Sequence, residues 1–492
     1  MAVKSDLLVF LNPKSVAVIG ATERPGSWGS FIMQGLLSRR YPGKIYPINQ
    51  HAAQIYGIPA FRDVVEVDQP IDLAILTIPE HSVEKAVAAC GQKQIKGLTI
   101  ITAGFGETSQ SGKDREKALA RLARSFGMRL LGPNVSGTFN LDAGFNASSS
   151  PTEHLLSNPL AAICQGGYAF YDLLASGFSR GMGVGKFIHT GNECDLTVTD
   201  FLEHFGQDPD VKAIVMYIEA IRDGRRFSQV ARDVSKTKPV VVYKAGRALG
   251  AARAAHSHTG ALAGTKEIYQ GLFCQAGIII SPSMEILLPL GHALIERPPV
   301  RGRRVAIVTM GGSWGVALSD SLEEEGLIVP ELSSKLQHSL RSLGMPSRAS
   351  TRNPVDIGAS GLFFETDILI ALGRVILSSG EVDALILHGM GNPGMLGKDA
   401  PTRLKLFLDI DKRVIQGFND LERETGLPVL IGSIFTPWES QVVYDLNERG
   451  IRIYNRLDET AKLLSLMYEY WKTKQKGSSV WATACTLLTC LG

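Results

Sequence analysis

The stretch SVAVIGATERPGSWGSFIMQGLL (15–37) places a run of small and β-branched apolar residues before a glycine-rich turn, and an amphipathic pattern follows that turn. A short apolar run that ends in glycine is typical of a buried strand, and apolar residues three and four positions apart are typical of a helix. The stretch therefore predicts a strand, a tight turn and a helix. The same succession recurs in LAAICQGGYAFYDLLASGF (160–178) and RVAIVTMGGSWGVALSDSLEEEGL (304–327).

The even spacing of these successions indicates three units of similar size. Val16, Ala161 and Val305 are equivalent positions, and they lie 145 (161 − 16) and 144 (305 − 161) residues apart. Further apolar strands alternate with helical patterns in each unit, as in parallel sheets that helices cover on both faces. We therefore predict an α/β protein. The predicted domains are 1–145, 146–297 and 298–472, followed by a tail of unknown role at 473–492.

Composition limits the classes of function. Of 492 residues, 45% are hydrophobic, and 51 Lys and Arg against 48 Asp and Glu give a net charge of +3. The charges form no long runs, so we expect no nucleic-acid binding. The six cysteines show no C-x-x-C spacing, and we expect no metal site. The apolar run LLVFL (7–11) is too short for a signal peptide or a membrane span, so we expect a cytoplasmic protein without membrane contact.

The first glycine turn bears on the kind of nucleotide that the chain binds. Counted from Gly20, the G-x-G-x-x-G pattern of NAD-binding proteins would need glycine at Thr22 and Pro25, and the next strand ends at Asn49 without an acid for the ribose. An NAD-dependent oxidoreductase is therefore disfavoured. Gly20 and Gly29 still allow a phosphate to approach the following helix, so either a different nucleotide-like ligand or a purely structural turn fits the pattern.

The stretch RAAHSHTGALAG (253–264) carries two closely spaced histidines, His256 and His258, among small residues. Thr259 can cap a helix that begins near Gly260. Neutral imidazole is a nucleophile near pH 7, and a phosphoryl group on its nitrogen stays transferable. A histidine in such a loop is thus either a carrier of a transferable group or an ordinary surface residue.

A carrier histidine needs a carboxylate to orient its ring and backbone N–H groups to receive the phosphate. Glu219 follows the apolar run AIVMYI (213–218), at the end of a predicted buried strand. Gly166 and Gly167 precede a predicted helix, whose N-terminus offers N–H groups. Together with the glycine-rich turn after His258, these residues predict a site for phosphoryl transfer.

Five stretches resemble the alpha subunit of ADP-forming acyl-CoA synthetases, also called ADP-forming acetate–CoA ligases, which are relatives of succinyl-CoA synthetase. They are, in chain order, LLGPNVSG (130–137), GKFIHTGNECDL (185–196), YIEAIRDGRRF (217–227), KAGRALGAARAAHSHTGALAG (244–264) and NPVD (353–356). The resemblance covers about residues 10–470. It implies a CoA-binding Rossmann domain followed by two flavodoxin-like ligase domains. It also implies the reaction acyl-CoA + ADP + phosphate ⇌ acid + CoA + ATP, through an acyl phosphate and a phosphohistidine.

The resemblance implies roles for individual residues. His258 would take the phosphoryl group, Glu219 would hold its ring, and His256 would be a bystander. Asp195 matches a family acid, with either a structural or a catalytic role. The implied phosphate-binding residues are Gly166, Gly167, Thr259, Gly260, Asn134 and Gly137. The implied CoA-binding residues are Gly20, Ser27, Gly29, Ile78, Pro79, Thr102, Gly104 and Glu107.

Two differences from the family pattern keep a second function open. Gly167 stands where the family commonly has serine, and Gln50 stands where it commonly has a lysine that binds phosphate. Loss of that cation would weaken CoA binding by roughly 1–2 kcal/mol. The alternative function is therefore a CoA-binding regulatory or scaffold protein with impaired catalysis.

The resemblance also implies a partner. The sequence contains neither the family's ATP-grasp domain nor a P-loop pattern G-x-x-x-x-G-K-[ST]. A separate ATP-grasp beta subunit is implied, in an α2β2 heterotetramer, with ADP or ATP and Mg bound on that subunit. The implied substrate is a small acyl-CoA or carboxylic acid, and the sequence does not name its acyl group.

Overall fold

The strand–turn–helix successions of the sequence form as predicted in the computed structural model of the chain. The described residues are 5–150, 152, 155, 157–178, 180–247, 266–362, 365–391 and 402–476. Contacts divide them into two units, one with the residues up to 174 and from 183 to 287, the other with those from 175 to 182 and from 288 onward. The α/β class is confirmed, and the domain bounds given above stay predictions.

The first sheet of the first unit is parallel, with strand order β2-β1-β5-β6-β7. All five residues of β1 are buried, as the apolar run predicts. Its strands are β1 (Ser15–Ile19), β2 (Lys44–Ile48), β5 (Leu73–Leu76), β6 (Gly97–Ile100) and β7 (Arg129–Leu131), and a two-stranded ribbon holds β3 (Gln54–Ile55) and β4 (Ile58–Pro59). The helices are α1 (Trp28–Ser38), α2 (Glu80–Gln92) and α3 (Gln110–Ser125).

The second sheet of the same unit has the order β14-β13-β12-β10-β11-β8-β9. Strands β10 to β14 are parallel, whereas β8 and β9 form an antiparallel hairpin against β11. The strands are β8 (Gly137–Asn140), β9 (Phe145–Ser148), β10 (Leu160–Cys164), β11 (Lys186–His189), β12 (Ala213–Ile218), β13 (Val240–Lys244) and β14 (Ile279–Ile280). The helices that follow these strands are α4 (Gly167–Phe178), α5 (Val198–Gln207), α6 (Gly224–Ser235), α7 (Lys266–Ala276) and α8 (Met284–Glu296), of which α4 and α8 end among the residues of the second unit. The sequence did not predict this hairpin, and the predicted boundary after residue 145 falls within it.

The second unit contains a parallel sheet with the order β16-β15-β17-β18-β19. Its core is aliphatic and includes Val308, Leu385 and Ile431 from adjacent strands. The strands are β15 (Val305–Thr309), β16 (Val355–Asp356), β17 (Ala384–His388), β18 (Val429–Gly432) and β19 (Ile453–Tyr454). The helices are α9 (Gly312–Glu324), α10 (Ser334–Ser342), α11 (Thr366–Leu377), α12 (Thr402–Thr425), α13 (Gln441–Glu448) and α14 (Leu457–Lys476).

One core connects the two sheets of the first unit. Buried Val16 of the first sheet and Ile163 of the second belong to the same apolar cluster. The rings of Phe10 and Phe201 meet edge to face with centroids 6.3 Å apart, and the Thr138 hydroxyl donates to the Phe10 carbonyl. Both sheets therefore belong to one compact unit. None of the helices in the described residues is both long and apolar enough to cross a membrane.

The start of α1 shows how a glycine fixes the first turn. A Cβ at Gly29 would lie 2.1 Å from the carbonyl oxygen of Gly20, and Gly20 itself has a φ of +95°. Real atoms do not approach so closely, so α1 can pack on the end of β1 only because residue 29 lacks a side chain.

We expect Gly29→Ala to lower the free energy of unfolding by about 1–3 kcal/mol, because the added methyl forces α1 away from β1. Gly271→Ala is the matched control, since Gly271 lies within α7 and a Cβ there would meet nothing within 4 Å. That change should instead stabilise the protein by about 0.5–1 kcal/mol. Urea denaturation measures both changes, and equal effects of the two would contradict the close packing at Gly29.

Candidate functional site

Two cavities open beyond the carboxyl ends of the strands in the first unit. The first measures about 730 Å3 and the second about 450 Å3. Ile78 and Pro79, which follow β5, line both of them. The two cavities are therefore neighbours, in the place where α/β sheets commonly bind ligands.

The second cavity joins the glycine turn to a basic wall. Gly20, Gln50 and His51 line it, and so do the cationic side chains of Arg62 and Lys85. Phosphate groups bind well where a glycine turn meets guanidinium and ammonium groups. The cavity of Gln50 is thus lined by two cationic residues, Lys85 from α2 and Arg62 from the segment after β4, and by the acidic Asp63.

The predicted CoA-binding residues divide into two groups. Gly20, Ile78, Pro79 and Thr102 line one or both cavities, and the Thr102 hydroxyl holds the Ile78 carbonyl at 2.7 Å. In the part of the chain that the structure describes, the other predicted residues line neither cavity. These residues are Ser27, Gly29, Gly104 and Glu107.

The second group has local structural contacts instead. The Ser27 hydroxyl donates to the Arg24 carbonyl at 2.7 Å. The carboxylate of Glu107 accepts hydrogen bonds from the backbone N–H groups of Gly104 and Phe105 and from the side chain of Asn192. Glu107 thereby closes its own turn and ties that turn to the second sheet.

The polar end of the first cavity contains a buried histidine whose proton position follows from its partners. The backbone N–H of Ser136 donates to His189 Nδ1 at 2.6 Å, so that nitrogen carries no proton. The proton is therefore on Nε2, which donates to the Gln165 carbonyl at 2.9 Å. His189 thus connects the segment after β7 with the strand end at β10, and it serves as a fixed wall of the cavity.

The glycines before and at the start of α4 lie against the other predicted site residues. A Cβ at Gly166 would lie 3.1 Å from Glu219 Oε1 and 2.9 Å from Tyr217 Cε1. Gly167 lines the first cavity, and a Cβ there would lie 3.2 Å from His189 Cε1. The structure therefore brings the predicted carboxylate and the predicted phosphate-binding turn together. Burial, followed by the charge of Glu219, raises the pKa of Tyr217 above its usual value.

The remaining predicted phosphate-binding residues have separate locations. Asn134 lines the first cavity, and its side chain contacts Asn192 at 3.3 Å. Gly137 starts the β8–β9 hairpin, where a Cβ would lie 2.0 Å from the Ala147 carbonyl oxygen, so its position is explained by packing. The predicted residues His258, His256, Thr259 and Gly260 lie outside the described residues.

Asp195 has a structural environment. Its side chain is fully buried and accepts hydrogen bonds from Arg124, Arg129 and the Leu130 N–H at 2.6–3.3 Å. Burial alone would raise the pKa of this carboxyl, but the bonds from Arg129, Leu130 and Arg124 outweigh it and lower the pKa. Of the two roles left open for Asp195, the contacts favour the structural one.

Several residues of the site carried no signal in the sequence. Arg62 and Lys85 stand in none of the quoted stretches, and Gln165 and Lys244 stand in quoted stretches without any sign of a role of their own. All four meet the site only through the fold. For Arg62 and Lys85, the only signal in the sequence was a weak one, the occurrence of a cationic residue in the same domain as a phosphate-binding turn. Within the described ranges, no cluster of three or more His, Cys, Asp or Glu side chains could hold a metal ion.

Comparisons with known proteins identify relatives along nearly the whole chain. A CoA binding domain model matches residues 14–139, and a succinyl-CoA ligase-like flavodoxin domain model matches residues 157–294. The chain is 36% identical over 481 residues to the alpha subunit of the ADP-forming acetate–CoA ligase I of Pyrococcus furiosus, which covers 96% of this chain and 99% of the relative. It is 38% identical over 378 residues to the alpha subunit of the ligase II of that organism, covering 77% and 81%.

A solved structure has the same fold over a similar length. It is the dinucleotide-forming acetyl-coenzyme A synthetase 1 of Ca. Korarchaeum cryptofilum in complex with phosphate and ADP. The TM-score is 0.82 at 31% sequence identity, and the match covers 96% of this chain and 98% of that one. The likeness thus extends over both units of the chain.

Glu193 lies in the loop beside the first cavity, and its titration leads to a prediction about stability. Burial raises the pKa of this carboxyl to about 7, although a hydrogen bond with Gln165 and the charge of Arg222 act in the opposite direction. An unfolded glutamate titrates at about 4.3, so between these values the folded protein binds more protons than the unfolded chain. The free energy of unfolding therefore decreases as the pH rises through that window.

Glu193→Gln keeps an acceptor for the Val198 N–H and cannot ionise. Relative to wild type, its free energy of unfolding should rise by on the order of 2 kcal/mol between about pH 5 and pH 8. Denaturation curves at several pH values measure the difference, with Glu203→Gln on the surface of α5 as the control. A difference that stays constant with pH would contradict the buried, shifted carboxyl.

Proposed function

Because the chain belongs to the family of ADP-forming acetate–CoA ligase alpha subunits, we propose that it performs the CoA-dependent half of an acid–CoA ligase reaction. The chain is an acyl-CoA synthetase subunit of the NDP-forming type, and coenzyme A is a substrate. The observation that carries the proposed site is the pair of adjoining cavities that share Ile78 and Pro79, with Glu219 and Gly166 beside the larger one.

Coenzyme A fits the two cavities by its chemistry. Its phosphates would lie in the second cavity, near the turn at Gly20 and the cations Arg62 and Lys85. Its pantetheine arm would pass Ile78 and Pro79 into the first cavity. The thioester would then lie at the polar end, where Asn134 and Gly167 are found.

The proposed chemistry has two steps on this chain. A phosphate oxygen attacks the thioester carbonyl, the C–S bond breaks, and CoA leaves as the thiol while an acyl phosphate forms. An imidazole nitrogen of His258 then attacks the phosphorus, and the carboxylate leaves. The N-terminus of α4 at Gly166 and Gly167 would stabilise the phosphate charge, and Glu219 would hold the second ring nitrogen.

The final transfer would need a partner. The relatives' designation as alpha subunits implies another subunit, and we propose that it is an ATP-grasp beta subunit that holds ADP or ATP with Mg in an α2β2 heterotetramer. The phosphoryl group on His258 would pass to ADP there. We further propose that the reaction occurs in the cytoplasm and that the chain comprises the three predicted domains, the first predicted boundary falling within the β8–β9 hairpin.

The alternative of a regulatory or scaffold protein is not favoured. Enzymes of the same family align with the chain over almost its whole length. The two sequence differences that supported the alternative also have local compensation. Lys85 and Arg62 lie at the cavity of Gln50, and Gly167 keeps its backbone N–H at the start of α4.

The phosphoryl carrier is tested with the chain, phosphate and a panel of acyl-CoA thioesters, in the absence of nucleotide. The panel runs from acetyl-CoA to aryl-acyl-CoA, because Trp28, Phe31 and Tyr171 line the first cavity. Mass spectrometry should find an acid-labile phosphoryl group on wild type and His256→Ala, and none on His258→Ala. A wild-type chain that stays unphosphorylated with every thioester would contradict the proposal.

The proposed CoA site is tested by substitution of a cationic residue that lines the second cavity. We expect Lys85→Ala to weaken CoA binding by about tenfold or more, because a hydrogen bond to a charged group is worth about 1.5–3 kcal/mol. Titration calorimetry measures the affinity, and Lys93→Ala, just beyond the end of the same helix, should leave it unchanged. Equal affinities for both variants would place the phosphates elsewhere.

A further inference from the structure

The backbone of Glu219 is held by two buried side chains from different strands. Gln165 follows β10 and is 7% exposed. Its Oε1 accepts the N–H groups of Glu219 at 2.6 Å and Ala220 at 2.9 Å, while its Nε2 donates to the Ala220 carbonyl at 2.8 Å. The side-chain amide of Gln165 therefore makes three hydrogen bonds with the backbone of Glu219 and Ala220, which follow β12.

Lys244 approaches the same residue from the other side. It is the last residue of β13, is 3% exposed, and its Nζ donates to the Glu219 carbonyl at 2.7 Å and to the Ala245 carbonyl. The ammonium lies 4.3 Å from the centre of the Tyr269 ring, which adds a cation–π contact from α7. The buried ammonium of Lys244 thus contacts the segments that follow β12 and β13 and the ring of Tyr269 in α7.

Burial of the Lys244 ammonium is energetically unfavourable, and the neighbouring charges also act on its pKa. Burial lowers the pKa of Lys244 to about 8, the charge of Glu219 opposes that shift, and Arg247 adds to it. Below this pH the ammonium donates to two carbonyls while a carboxylate stands nearby. Above it, the lysine loses its charge and part of its attraction for Glu219.

We propose that Gln165 and Lys244 are positioning residues that clamp Glu219 from both sides, so that its carboxylate stays beside Gly166 where His258 must meet it. The inference rests on the proposed function, because it takes Glu219 as the group that orients the imidazole. Gln165 fixes the N–H side of the peptide and Lys244 fixes the carbonyl side. Lys244 also donates to the carbonyl of Ala245, the residue that follows it.

The clamp is tested with a pair of lysine variants and a matched control. Lys244→Met removes the ammonium but keeps an unbranched side chain, and Lys244→Arg restores a cation. Lys238→Met is the control, because Lys238 precedes β13 and donates to the Phe205 and Asp208 carbonyls at the opposite end of the strand. Each variant is assayed for CoA affinity, stability and the rate of phosphohistidine formation.

We expect Lys244→Met to slow phosphohistidine formation by up to about a hundredfold, the effect of displacing a catalytic group by about 1 Å. Its CoA affinity should not change, because Lys244 lines neither of the two large cavities. Lys244→Arg should recover part of the rate, and Lys238→Met should lose stability without losing rate. If Lys244→Met lowers the rate no more than Lys238→Met does, the clamp is overturned.

The pH profile separates positioning from a general loss of structure. The charged and titratable groups around Lys244 are Glu219 from the segment after β12, Arg247 from its own segment, and Tyr269 and Lys266 from α7. In wild type the rate should fall above about pH 8, where Lys244 loses its proton. In Lys244→Arg this fall should be absent, because guanidinium stays protonated there. An unchanged fall in Lys244→Arg counts against the clamp.

Hydrogen exchange tests the clamp without an activity assay, so its result distinguishes the clamp from the proposed function. It also does not require that Lys244→Met folds. The amides of Glu219 and Ala220 should exchange slowly with deuterium in wild type and much faster in Gln165→Met, which removes the Oε1 atom that accepts both N–H groups. Equal exchange in both proteins overturns the clamp. If wild type protects these amides but forms no phosphohistidine, the proposed function fails instead.

Discussion

The site depends on the buried carboxylate of Asp195, which fastens the loop after β11 to the first sheet. Burying an ionised carboxylate is unfavourable unless hydrogen bonds and opposite charges surround it. Here two arginines and the Leu130 N–H do so, and backbone bonds from Asn192, Cys194 and Leu196 to the segment 130–133 continue the attachment. This attachment brings the carboxyl ends of two separate sheets to one place, where residues of both sheets line the first cavity.

The pattern of apolar strands and glycine turns was sufficient to predict the α/β class and one strand–turn–helix succession in each of the three large sheets, but not the β8–β9 hairpin. It was less informative about individual glycines. Gly29 and Gly137 look like ligand-binding glycines in the sequence, but a Cβ at either would collide with a backbone carbonyl of the protein itself. A close approach to a ligand and a close approach to another strand place the same demand on the sequence, so only the structure separates them.

The residues that surround the site were unpredictable for a different reason. Arg62 and Lys85 come from separate segments, and Gln165 and Lys244 belong to strands whose neighbours in the sheet are far away in the sequence. No local sequence pattern predicts that these residues lie near the site. The missing lysine at position 50 therefore pointed toward weak CoA binding, because the sequence could not reveal that other cations line the same cavity.

The proposed reaction explains why rigid groups surround the place where His258 is expected to act. A phosphoryl carrier must meet acceptor and donor in a defined geometry, and an error of about 1 Å costs roughly a hundredfold in rate. A carboxylate without fixed contacts of its own could not define that geometry. Glu219 instead takes its position from β10 and β13 through Gln165 and Lys244, and His189 is fixed by Ser136 and Gln165. The orientation of the imidazole would then be set by the sheet, whichever substrate lies in the cavity.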